Sequence, residues 1–170
     1  MGNMSFRSLF GDLAVAETRA IQVLESLPGR LPVDEYGFDE WYCVDPDCDC
    51  RRVLFLVFAR RAGEHVATIS HSFEPPGKRA WLAEQTILDP LLPQSALSQE
   101  LLRACKEVLL TDPEYCRRLE RHYSMVKDAV ADPDHPSQRL LRRSEKQRTG
   151  DRPRVRDILP PKRRGKRKWK

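Results

Sequence analysis

Residues 52–60 read "RVLFLVFAR", a continuous apolar run with β-branched and aromatic members. Such a run reads as a buried strand. Residues 64–73, "EHVATISHSF", alternate apolar and polar side chains, and "RAG" (61–63) supplies a short turn between the two segments. The chain is thereby predicted to form a β-hairpin. With Arg60 near His65, pairing runs back to set His71 opposite Leu54, on the side shared by Ile69 and Phe73.

Helical periods flank the hairpin. Residues 12–27 repeat Leu13, Ala16, Ala20, Val23, Leu24 and Leu27 at three- and four-residue spacing, with Asp12 as the predicted cap. Residues 28–40 read as an irregular approach, and residues 74–79 and 88–98 as loops. Residues 98–110 predict a helix capped by Ser98 that buries Leu101, Leu102, Cys105, Val108 and Leu109. Residues 111–130 predict another, started by Thr111 or Asp112 with Pro113 in the first turn. Its stripe is Tyr115, Leu119, His122, Val126 and Val130. At 40 % hydrophobic and 32 % charged residues, the chain has enough apolar content for a modest core. The expected fold is α+β: a β-hairpin or small antiparallel sheet packed by about three helices. Residues 1–136 form the single expected domain, and 137–170 a basic, disordered tail.

Directly before the hairpin lies "WYCVDPDCDCRR", residues 41–52. Three of the five cysteines, Cys43, Cys48 and Cys50, fall within eight positions here. Thiolates are soft ligands that suit zinc, and a turn favoured by Pro46 brings such close positions onto one ion. Arg51 and Arg52 offset the charge of a thiolate cluster. Asp45, Asp47 and Asp49 mimic the opening of a calcium loop, but Cys50 stands where glycine is needed and Leu56 where a bidentate glutamate belongs. The plainer alternative is an acidic turn with three incidental reduced cysteines. A structural zinc wants a fourth ligand. The hairpin pairing makes His71 the first candidate, ahead of His122, Cys105 and Cys116, although a lone histidine or cysteine on an apolar face is commonly just packed there.

Charge divides the chain sharply. Residues 139–170 hold 15 Lys/Arg and 3 Asp/Glu, a net of +12, whereas residues 1–138 carry a net of −7. Lys162, Arg163, Arg164, Lys166, Arg167, Lys168 and Lys170, with Trp169 among them, make a polycation suited to nucleic acid or another polyanion. The alternative is a solvated tail that aids solubility or folds back on the acidic body. No apolar run approaches the length of a membrane span, and the first twenty residues lack the pattern of a secretory leader. The expected compartment is the cytoplasm, where clustered thiols stay reduced.

The stretches "FDEWYCVDPDCDCRRVLF" and "LDPLLPQSALSQELL…YCRRLERHY" resemble a family of uncharacterised bacterial proteins with a YC-x4-CDC loop, some with a SEC-C zinc motif at the C-terminus. The resemblance spans roughly residues 36–130. It implies a metal-linked bacterial cytoplasmic protein and gives no activity. This chain departs from the pattern at its end, where only basic residues stand.

The leading expectation is a small zinc-stabilised binding module, an adaptor reaching nucleic acid or ribonucleoprotein through its basic tail. A protein–protein adaptor with an acidic partner is one alternative. The other is a metal-dependent hydrolase or nuclease built on Glu35, Asp39, Glu40 and the aspartates of the loop, or on Cys48 with His71 as base. The sequence has no Gly-rich phosphate loop and no H-E-x-x-H, and catalysis ranks below binding.

Overall fold

Strand pairing organises the chain from its first residues onward. The computed structural model describes residues 2–26, 29–75 and 84–150. Among these, six strands form one antiparallel sheet: β1 (Asn3–Ser5), β2 (Arg19–Val23), β3 (Asp34–Cys43), β4 (Arg52–Ala59), β5 (Glu64–Ser72) and β6 (Thr86–Leu88). The order is β1-β3-β4-β5-β6, with β2 also on β3. β1 and β2 share one edge of β3: Asn3 pairs with Cys43, and Arg19 with Phe38. The helices are α1 (Phe6–Glu17), α2 (Ser98–Ala104), α3 (Pro113–Ala131) and α4 (Gln138–Gly150). The fold is thus an α+β mix, as the patterns predict. No helix among the described residues is long and apolar enough to cross a membrane.

The predicted hairpin is present as β4 and β5, turning through Arg60–Gly63, where Gly63 takes the left-handed φ of +67° that glycine tolerates best. Its register differs from expectation by one. The strands leave the turn at Ala59 and Glu64, and an irregularity between Val57 and Phe58 shifts the pairing. His71 therefore pairs with Val53, not Leu54.

The helix expected over 12–27 is replaced by two elements. Ser5 caps α1 by accepting from Arg7 N, and the chain leaves the helix at Thr18. Residues 19–23 then extend along β3, because its edge offers backbone partners that outweigh a weak helical preference. Ala16 and Ala20 of the predicted stripe are exposed, and Leu24 is 81 % exposed. Leu27 lies outside the described residues. The segment read as irregular, 28–40, contains most of β3, whose inward positions are Tyr36, Phe38, Glu40 and Tyr42. A glutamate at an inward position hid the strand's alternation.

α2 runs directly into a π-helical segment, Cys105–Leu109, where Leu110 N donates to Cys105 O at 2.9 Å. Leu101, Cys105 and Leu109 are buried as expected, but Val108 is 55 % exposed. Ser98 does not cap α2. Its hydroxyl donates to Val66 O and accepts from Ser95 N, stitching the helix start to β5. Asp112 caps α3 by accepting from Glu114 N and Tyr115 N. α3 buries Tyr115, Leu119, His122 and Val126 of the predicted stripe. The chain also continues in order past residue 136. Ser137 and Leu141 are buried, and Gln138 Nε2 donates to Ala129 O at 2.9 Å, so α4 packs on the end of α3. Residues 151–170, with all seven cations from Lys162 to Lys170 and Trp169, lie outside the described residues.

The sheet and helices are tied by a buried polar network. Glu40 is 1 % exposed and accepts from Tyr42 Oη (2.8 Å), His122 Nδ1 (2.7 Å) and Tyr115 Oη (3.2 Å). His122 is fully buried, stacks on Phe6 and reaches Glu17 Oε2 with its other nitrogen at 2.6 Å. The ring thereby bridges two carboxyl groups, one on β3 and one at the end of α1. Burial, with Glu40 beside them, holds the Tyr42 and Tyr115 phenols well above their usual range, which keeps them protonated and donating. Burial works to raise Glu17, but hydrogen bonds from Arg121 and His122 outweigh it and keep that carboxyl low. Removing one partner of a buried, hydrogen-bonded charge is costly because the other is left uncompensated. His122→Ala is expected to lose about 3–5 kcal/mol of unfolding free energy in urea melts. A loss under about 1 kcal/mol would mean that the network contributes little.

Candidate metal centre

Cys43 is the last residue of β3, and Arg52 is the first of β4. The loop between them is therefore pinned at both ends by sheet pairing. Val44 N donates to Gly2 O at 2.8 Å, continuing the β1 contact by one residue. Asp45 then makes an Asx turn, its Oδ1 accepting from Asp47 N at 3.2 Å, while Cys48 N donates to Asp45 O at 3.3 Å. At the far end, Phe73 N donates to Arg51 O at 3.0 Å, and Arg51 itself takes a φ of +38°.

From above, α3 clamps the loop. Lys127 Nζ donates to Asp45 O at 2.9 Å and to Cys48 O at 2.6 Å. The same ammonium lies 5.8 Å from the centre of the Tyr123 ring. Two carbonyls that would otherwise diverge at a tight turn are gathered by one cation.

The outcome is a convergence of sulfur. The Sγ atoms of Cys43, Cys48 and Cys50 all lie within 4.8 Å of one another, close enough to hold a metal ion. Zinc–thiolate bonds of about 2.3 Å set tetrahedral sulfurs roughly 3.8 Å apart, so only slight contraction is needed. Cys43 is 5 % exposed, and Cys48 and Cys50 are half-buried. Burial first, then the neighbouring Cys43 and Cys48, push the Cys50 thiol up to about 12. Three thiols crowded in this way disfavour additional negative charge, and a cation replacing their protons relieves it. The two arginines that follow suit the same end. Arg52 Nε is buried without a hydrogen-bond partner among the described residues. Arg51 Nε lies 2.8 Å from Glu74 Oε1, an ion pair not aligned as a hydrogen bond.

The other predicted participants stand elsewhere. His71 is not in the sulfur cluster. Its Nδ1 is 2.9 Å from Thr86 Oγ1, and it lines a cavity of about 530 Å³ with Lys106, Leu110, Cys116 and Glu120. The one-residue register difference explains this placement, because it turns His71 to the side of Val53 and the helices. Cys105 is fully buried in the core, Cys116 Sγ donates to Leu110 O, and His122 is held between two carboxylates.

The carboxylates suggested for a hydrolase are dispersed. Glu35 pairs with Arg60, Asp39 accepts from Trp41 Nε1 at 2.6 Å, and Glu40 is enclosed by its own donors. Lys127 has no local signature in the sequence, and neither has Glu17, whose partners Arg121 and His122 lie about a hundred residues away.

No family model matches the chain, and no curated protein or solved structure matches it.

Burial lowers the His71 imidazole from its usual value to about 4. Unfolded chains bind that proton near pH 6.5 and the folded protein does not. Stability from this site is therefore present above pH 6.5 and is lost as pH falls from there towards 4. Nitrogen and proton NMR of metal-free protein should show a neutral His71 ring at pH 6, titrating near 4. A midpoint near 6.5 would place the ring in water.

Proposed function

We propose that this protein is a small zinc-binding module, with Cys43, Cys48 and Cys50 as its ligands. The observation that carries this is the meeting of the three sulfurs on a loop already shaped by β1, β5 and Lys127. Zinc suits an all-thiol donor set, and Asp45 is occupied in turn formation, not in the cluster. The bound ion would cross-link the end of β3 to the start of β4. Native mass spectrometry of protein purified without chelators under reducing conditions should find about one zinc per chain. Cys48→Ser should bring that well below one. Zinc free at about a hundred times its Kd should stabilise the wild type by about 2.7 kcal/mol and leave the variant unmoved. Metal-free protein that takes up no zinc would end the proposal.

The module's expected partner is nucleic acid or another polyanion. Support comes from the +12 charge of residues 139–170 and from α4, which sets Arg139, Arg142 and Arg143 around one open cleft. Phosphate contacts release counterions, so affinity should fall steeply with salt. Because Leu141 is buried, the informative truncation ends at Gly150, not before α4. The full chain should bind single-stranded RNA or DNA in low salt, and the 1–150 fragment should bind much more weakly. Equal binding would move the contact to α4.

A further inference from the structure

Resting on the metal site proposed above, we infer that the three cysteines are the ligands supplied by the described residues, and that the fourth coordination position accepts the thiolate of a small-molecule thiol. All five cysteines and all four histidines of the sequence are among the described residues. Each soft donor outside the trio has a place of its own. His65 Nε2 is 2.9 Å from Thr68 Oγ1, and His71 Nδ1 is the same distance from Thr86 Oγ1. His122 lies between Glu40 and Glu17, while His135 Nδ1 accepts from Ser137 N and its ring meets the Phe10 ring. Cys105 is sealed in the core, and Cys116 bonds to Leu110 O. Among the described residues no aspartate or glutamate joins the three sulfurs either.

The site keeps its shape with three donors because its geometry does not depend on a fourth. Sheet pairing holds Cys43, and Lys127 holds the carbonyls of Asp45 and Cys48. Cys43 is sealed beneath, whereas Cys48 and Cys50 keep part of their surface in water, so the ion is approached from their side. Thiolate sulfur is a donor that zinc accepts in a four-sulfur tetrahedral set, so a fourth thiolate completes the coordination in the donor type already present. Lys127 on the Cys48 carbonyl, and Arg51 and Arg52 directly after Cys50 in the chain, bring positive charge to offset the added thiolate. On binding, the incoming sulfur replaces water on the ion, and its proton passes to the buffer.

The test uses the full chain, reduced with a phosphine and loaded with one equivalent of Co(II). The loaded protein should show sulfur-to-cobalt charge transfer from three thiolates. Titrating in 2-mercaptoethanol should raise that band by about a third, since a fourth thiolate joins three. The thioether analogue should leave it unchanged. His71→Ala and Cys116→Ser should keep both the starting spectrum and the response to thiol. A four-donor spectrum that ignores added thiol would overturn the inference while leaving the metal site intact, as would loss of a donor in His71→Ala. No charge-transfer band at all would overturn the metal site, and the inference with it.

Discussion

A carboxylate sealed inside the protein is the constraint on which the other contacts depend. Glu40 sits on the inward face of β3, where water cannot reach it. A carboxyl group in such a place must find its hydrogen-bond partners within the protein. Tyr42 answers from the same strand, and Tyr115 and His122 answer from α3. These bonds fix both the height and the rotation of α3 above the sheet. His122 then passes the link to Glu17 at the end of α1. Apolar packing alone would tolerate sliding of a helix on a sheet, whereas three hydrogen bonds to one carboxylate do not.

The position of α3 decides the metal loop. His122 and Lys127 lie on the same helix, little more than one turn apart. Fixing His122 on Glu40 therefore sets where the Lys127 ammonium can reach, and it reaches the carbonyls of Asp45 and Cys48. Glu40 and Cys43 are likewise neighbours on β3, three residues apart. The buried network and the thiol cluster thus share one strand and one helix. A rigid support of this kind holds the sulfurs together through its own hydrogen bonds.

Legibility in the sequence followed the range of the interactions involved. The β4–β5 hairpin was readable because apolar runs and a turn are local, and so was α3, with its capping aspartate and its stripe. The thiol trio was readable because eight residues contain it. β2 was not, since Arg19–Val23 becomes a strand only when β3 offers an edge. Nor was β3 itself, whose Glu40 breaks the alternation until its partners on α3 are known. The place of His71 turned on a single shift between Val57 and Phe58, and one residue of register changes which face a side chain takes. Lys127 reads in sequence as an ordinary surface cation.

The convergence of three sulfurs on one ion is tested most directly by X-ray absorption at the zinc edge. The sample is the zinc-loaded full chain in a buffer free of added thiol. The expected spectrum shows a first shell of three sulfurs at about 2.3 Å, completed by one lighter atom. A shell of nitrogen and oxygen only, or a single sulfur, would contradict it.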